Sequence, residues 1–199
     1  MLHELFPVIV YETEFTGELL EKVQKELQQE YALQVFIPCK PLTEHSEIGS
    51  INLTSGTFTE VNNFVNDDQK FPILKNEILK IVDYYCERAN IKKEVEPVIS
   101  KSWFTLSQHN DYAHKHNHKK EDLTLVYYYQ ASGYEGKIKL HSPHSNFKYT
   151  SDDTYEVTPT TGKIIIFPGW LFHSILTNET QNDRISVAIE VTIFNKYET

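Results

Sequence analysis

Four of the chain's nine histidines fall within ten residues, in His109-Asn-Asp-Tyr-Ala-His114-Lys-His116-Asn-His118. A fifth, His173, closes the run Phe167-Pro-Gly-Trp-Leu-Phe-His173, and Arg184 follows eleven residues later. Side chains two apart on a strand share a face, so two clustered imidazoles can meet one metal ion. A third, from a distant strand, can complete a three-cornered site. Imidazole and carboxylate ligands with open positions suit iron(II) in non-haem oxygenases. An arginine beyond the last histidine can clasp the carboxylate of a bound acid through two parallel hydrogen bonds. The pattern points to oxygen chemistry at iron, with 2-oxoglutarate as the acid.

The usual His-x-Asp pair has no clean match at the expected place. His116-Asn117-His118 stands there, His114-Lys115-His116 has the same spacing, and His109-Asn110-Asp111 is a literal His-x-Asp. His173 stands out because a polar side chain after Ile164–Phe167 and Trp170–Phe172 needs a purpose if it is buried. Arg184 opens the last expected strand, and Ser186 shares its face. Within Tyr127-Tyr128-Tyr129 one phenol can reach a bound acid, although core packing with a satisfied hydroxyl is an equal use for it. His141 and His144 fall in an expected loop, while His3 and His45 carry no signal.

The elements that must hold these residues change character along the chain. A strand is expected at Val8–Tyr11, then a helix from about Thr16 with Leu19, Leu20, Val23, Leu27 and Tyr31 at helical spacing. A second helix is expected from Pro72 to Ala89, with Leu74, Ile78, Ile81, Val82 and Tyr85 as its buried stripe. The C-terminal half reads as strands at Ile99–Ser107, Thr124–Gln130, Gly136–Leu140, Thr154–Val157, Lys163–Phe167 and Arg184–Phe194. Helices first and short strands after fit a mostly β, α+β chain: a jelly-roll, cupin-like barrel backed by helices. No repeat or linker divides it, so residues 1–199 are expected to form one domain. Residues 1–98 supply support and outer strands, and residues 99–199 the jelly-roll core. Loops at Pro38–Gly56 and Leu140–Asp153 are candidate lids for a polar or peptidic substrate.

Bulk composition excludes several classes. At 199 residues, with 24% charged and 40% hydrophobic residues, the chain can bury a full core. A net charge of −9 with no basic stripe argues against nucleic acid. No apolar run reaches the length of a membrane span. Cys39 and Cys86 are too few for a disulfide framework. Asn52-Leu-Thr54 and Asn178-Glu-Thr180 match a glycosylation pattern that is common by chance. A cytoplasmic protein is the expectation, and a homodimer is compatible with it.

The chain resembles the 2-oxoglutarate/iron(II) oxygenases with a His-x-His-Pro motif found in bacteria and tailed phages, within the double-stranded β-helix superfamily of the prolyl hydroxylases. Leu5-Phe6-Pro7 looks like that family's opening. Asp111-Tyr112, His116-Asn-His118 and Val126-Tyr127-Tyr128 are similar to its central motif. Thr158 to His173 resembles its most specific stretch, and Arg184-Ile185-Ser186 its final strand. Lys119 stands where the motif has proline, and Leu125 where a glycine is usual. The resemblance implies His116 and His173 as iron(II) ligands, with His118 in the place of the superfamily's carboxylate and Asp111 or Asp122 as other carboxylate sources. It implies Arg184 as the anchor of 2-oxoglutarate, with Ser186 and Tyr128 beside it. The implied reaction couples decarboxylation of 2-oxoglutarate to succinate with hydroxylation of a small-molecule or peptidic substrate. Other functions stay open at this point: a three-histidine cupin-type dioxygenase without 2-oxoglutarate, a non-catalytic cupin-like binding module, or an interaction protein with a surface histidine loop.

Overall fold

A computed structural model describes residues 7–38, 57–91, 94–143 and 154–195. The elements are β1 (Tyr11–Glu14), α1 (Gly17–Leu33), β2 (Ile37–Pro38), β3 (Thr57–Phe58), α2 (Pro72–Arg88), β4 (Val95–Ser107), β5 (Ala113–His116), β6 (Leu123–Gln130), β7 (Ile138–His141), β8 (Thr154–Val157), β9 (Lys163–Pro168), β10 (His173–Ile175) and β11 (Arg184–Asn195). A seven-stranded antiparallel sheet runs β1-β9-β6-β11-β4-β3-β2, and a four-stranded one runs β5-β10-β7-β8. Both sheets are open, so the expected barrel is realised as two facing sheets rather than a closed cylinder.

Strand alternation sorts the large sheet's side chains between two neighbours. Ile164 and Ile166 of β9, Leu123, Leu125 and Tyr127 of β6, and Ile185, Val187, Ile189 and Val191 of β11 pack against the helices. The intervening Ile165, Phe167 and Val126 turn the other way, onto Ile138, Leu140 and Val157 of the small sheet. A one-residue slip would exchange these faces, so the pattern fixes the register. The space between the sheets is where the chemistry-bearing residues lie.

The helices stand close to where periodicity puts them. Val23 and Leu27 of α1 and Leu74, Ile78, Val82 and Tyr85 of α2 are buried; Cys86 joins them as a free thiol, while Ile81 is half-buried. Thr16 occupies the N-cap of α1 without a side-chain capping bond. The start of α2 is capped from outside: Glu26 of α1 accepts the backbone N–H groups of Ile73 and Leu74, both at 2.9 Å. That bond satisfies two donors that Phe71 at the N-cap position cannot serve. Gln24 reaches across to the Tyr129 carbonyl at 2.7 Å, and Tyr85 donates to the Ile9 carbonyl at 2.8 Å. The helix pair is thereby tied to the back of the large sheet.

Sequence and structure differ at the short elements. The first strand pairs with β9 from Tyr11 onward, three residues later than expected, while Val8 and Val10 pack against the inter-sheet cluster. The strands β5 and β10 are four and three residues long, too short to show a period. The Pro38–Gly56 and Leu140–Asp153 loops, Cys39, His3, His45 and His144 lie wholly or largely outside the described residues. Asn178 is fully buried and holds its own turn, donating to the Ser107 and Asn182 carbonyls at 3.0 and 2.8 Å, so it cannot accept a glycan in this fold. No described helix is long and apolar enough to cross a membrane.

Truncating Leu27, fully buried between the helices and the sheet, removes a central contact. Leu27→Ala is expected to lower unfolding stability by about 2–5 kcal/mol, read from the shift in a denaturant midpoint.

Candidate metal and oxo-acid site

His173 and His116 are direct cross-strand partners on β10 and β5. Their rings lie 4.2 Å apart between centroids, and the His118 ring stands 5.2 Å from His173, nearly parallel at 8°. Among the described residues, the His, Cys, Asp and Glu side chains that gather ligand atoms within 4.8 Å of one another are His116, His118 and His173. His118 lies two residues past the end of β5, so the strand alone does not aim it. Its backbone N–H donates to the Gly169 carbonyl at 2.8 Å, and the Gly169 N–H donates to Asp122 at 2.9 Å. The Pro168–Leu171 turn therefore does two things: it carries the chain from the large sheet to the small one, and it fixes the loop bearing His118.

Hydrogen bonds select which nitrogen each ring can offer. Nδ1 of His116 meets the His114 carbonyl at 2.7 Å, and Nδ1 of His173 meets the Leu171 carbonyl at 3.1 Å. A carbonyl only accepts, so each Nδ1 carries the proton and Nε2 keeps the lone pair. Nδ1 of His118 pairs with Glu190, so Nε2 is the nitrogen this ring can turn to a metal. Burial holds the His116 imidazole down to about 4, and it holds His173 well below the ordinary histidine range. Both rings are thus neutral and ready to bind a metal at neutral pH. Imidazole nitrogens with oriented Nδ1–H groups fit iron(II).

The other sequence candidates are employed elsewhere. Asp122 accepts the Ile193 N–H at 2.7 Å, Asp111 accepts the Gln108 N–H at 2.8 Å, and His109 binds the Thr180 carbonyl at 2.9 Å. His114 is exposed and stacks edge-on with Tyr112, while His141 pairs with Ser174 at 2.9 Å.

Arg184, Ser186, Ala188 and Glu190 alternate onto the inter-sheet face of β11, opposite Tyr128, Val126 and Thr124 of β6. Arg184 is buried, and its Nη1 donates to the Glu135 and Gly136 carbonyls at 3.0 and 2.8 Å. Those carbonyls are placed by a tight turn in which the buried Glu135 carboxylate gathers the N–H groups of Ser132, Gly133 and Tyr134. These bonds outweigh burial and hold the Glu135 carboxyl below its usual range. Gly136 is required there: its φ is +78°, and a Cβ would lie 2.1 Å from the Leu176 carbonyl oxygen. Burial lowers the Arg184 guanidinium from its ordinary value and pushes the Tyr128 phenol up to about 12. Two polar atoms here, Arg184 Nε and Tyr128 Oη, are buried without hydrogen-bond partners. Ser186 bonds Thr105 at 2.7 Å, and Ser107, opposite Arg184, keeps an unpartnered hydroxyl. A carboxylate would supply the acceptors that this group lacks. A separate cleft lined by Lys22, Lys25, Glu26 and Phe71 sits in the helix layer, across the large sheet from these residues.

Glu190, Thr105 and Glu135 escape a motif search. Glu190 did leave a signal: it is a lone charge inside the otherwise apolar run Val187–Val191, and a buried charge must be paired.

Two facing antiparallel sheets with imidazoles at their interface define a protein of the double-stranded β-helix class. Its solved counterparts are remote in sequence. A Pseudomonas putida prolyl-4-hydroxylase aligns at 10% identity and TM-score 0.63, covering 92% of this chain and 91% of the other. A Trichoplax adhaerens prolyl hydroxylase in complex with a hypoxia inducible factor degradation-domain peptide aligns at 12% identity and TM-score 0.61, covering 92% and 83%. The epimerase SnoN in complex with Fe3+, alpha ketoglutarate and nogalamycin RO aligns at 10% and 0.63, covering 92% and 78%. At such identities the likeness is one of fold. Residues 101–190, a stretch that includes His116, His118, Tyr128, His173, Arg184 and Ser186, match the model of the family described as "Putative 2OG-Fe(II) oxygenase". No curated protein matches the chain by sequence.

Gly169 offers a test of how the His118 loop is held. A Cβ there would lie 2.2 Å from the Glu121 carbonyl oxygen and 3.0 Å from that of His118. Gly169→Ala is expected to cost roughly 1–3 kcal/mol of stability and to weaken metal binding, read by thermal melts with and without iron(II). Unchanged melts in both conditions would show that the loop is not pinned there.

Proposed function

We propose that the protein is an iron(II)- and 2-oxoglutarate-dependent hydroxylase in which His116, His118 and His173 hold the metal and Arg184 anchors the co-substrate. The observation that carries this reading is the three-imidazole cluster sharing one inter-sheet space with a buried guanidinium whose Nε–H has no partner. Residues 99–199 form the catalytic core in this reading, and residues 1–98 support it, as one domain. Bound at the cluster, iron(II) supplies the chemistry that lets dioxygen hydroxylate a C–H bond with conversion of 2-oxoglutarate to succinate and carbon dioxide.

The chain's own residues bind, orient and exclude water. Arg184 is held by Nη1 on two carbonyls, so its unpartnered Nε–H would be available to the far carboxylate of 2-oxoglutarate without the side chain having to reorganise. The unpartnered Tyr128 hydroxyl would donate to the same carboxylate, and Ser186, directly across the strand pair from Tyr128, would stand beside it. Val126, Ile165 and Phe167 make the surrounding wall apolar, which strengthens each of these charge-assisted bonds. The substrate in this reading is a polar or peptidic molecule, a class supported by the peptide in the Trichoplax complex. A reducing, cytoplasmic setting suits both iron(II) and the buried Cys86 thiol.

Anaerobic titration with iron(II) and 2-oxoglutarate is expected to give the visible charge-transfer band of the metal–oxo-acid chelate. Arg184→Ala should weaken 2-oxoglutarate binding by about tenfold or more, from the loss of a charged hydrogen bond, while leaving iron binding in place. Tight iron binding with no band would favour a three-histidine dioxygenase that does not use 2-oxoglutarate. No iron binding at all would exclude the enzyme reading.

A further inference from the structure

A set of three imidazole ligands, with His118 where the resemblance implies the superfamily's carboxylate, would bring no anionic group to a doubly charged cation. A carboxylate is nevertheless present one bond further out. Glu190, 3% exposed, accepts the Nδ1–H of His118 through Oε1, and its Oε2 faces Lys101 Nζ at 3.2 Å. Lys101 also pairs with Glu121, whose other oxygen accepts the Ser100 and Thr192 hydroxyls at 2.8 and 3.0 Å. Two carboxylates therefore face one ammonium, and the network behind His118 keeps one net negative charge.

Building on the iron(II) site proposed above, we infer that Glu190 is a positioning residue that supplies through His118 the charge a ligand carboxylate would otherwise bring. The bond to Nδ1–H turns the His118 ring so that Nε2 faces His116 and His173, and it makes that nitrogen a stronger donor to a metal. The charge balance of a site with two histidines and one carboxylate is restored, with the anion displaced by the width of an imidazole. The geometry is specific to this arrangement. Asp111 and Asp122 are engaged with backbone elsewhere, whereas Glu190 reaches His118 from the inter-sheet face of β11. Lys101 from β4 keeps the Glu190 carboxylate from turning away.

The test is iron(II) affinity, measured anaerobically by competition with a chromophoric chelator and without 2-oxoglutarate. Glu190→Gln preserves shape and an acceptor but removes the charge, and it is expected to weaken iron(II) binding by about 10–100-fold. In a His118→Asp background, where a carboxylate meets the metal directly, adding Glu190→Gln should change affinity by no more than about twofold. Wild-type affinity in Glu190→Gln, or the same loss in both backgrounds, overturns the proposal; the second result would make Glu190 merely structural. If Glu190→Gln does not fold by circular dichroism, the zinc(II)-loaded wild type carries the test. A strongly deshielded His118 Nδ1–H proton resonance supports the carboxylate bond, and an ordinary imidazole N–H position overturns it. A protein that binds iron but not 2-oxoglutarate would defeat the co-substrate reading while leaving this measurement intact.

Discussion

Polar side chains held between two packed sheets must be satisfied by partners, and β11 carries three of them on one face: Arg184, Ser186 and Glu190. From Ile185 to Ile193 the opposite face of the same strand is apolar and packs against the helices. Hydrophobic burial on one side thus fixes the register that places the three polar groups on the other. Each has been given partners from outside β11. Arg184 is held by the Glu135–Gly136 turn, Ser186 by Thr105, and Glu190 by His118 and Lys101. The site is the inner surface of the sheet that the core stabilises.

Satisfaction is incomplete in one place, and that incompleteness has chemical content. Arg184 Nε and Tyr128 Oη stay unpartnered in an environment that burial has made poor in water. An unpaired buried donor costs free energy in the apo protein, and an anionic co-substrate would recover that cost on binding. The three imidazoles have the complementary property: burial keeps His116 and His173 neutral, with Nδ1 occupied and the lone pair directed elsewhere. Both halves are organised before any ligand arrives, which reduces the reorganisation that binding requires.

Much of this was legible in the sequence. The helical stripes of α1 and α2 and most long strands lie where periodicity puts them, because length lets a pattern outlast local exceptions. His173 announced itself as a polar residue ending an apolar run, and Arg184 and Ser186 as same-face residues opening a strand. The short strands β5 and β10 were not legible, since three or four residues show no period and their pairing depends on the turn through Gly169. The histidine cluster offered several pairs of equal spacing, and only tertiary bonds separate them: Gly169 fixes the His118 backbone, while His114 faces solvent. Glu190 lay inside an apolar strand as an unexplained charge. Its partner, 72 positions away in the chain, could not be read from spacing.

The central claim is that iron(II) sits on three imidazoles with its balancing carboxylate held outside the ligand set. X-ray absorption of the iron(II)-loaded protein tests that claim most directly. The account expects scattering from three imidazole rings in the wild type, and from two after His118→Ala. A carboxylate in the wild-type ligand set, or an unchanged imidazole number after loss of His118, would contradict it.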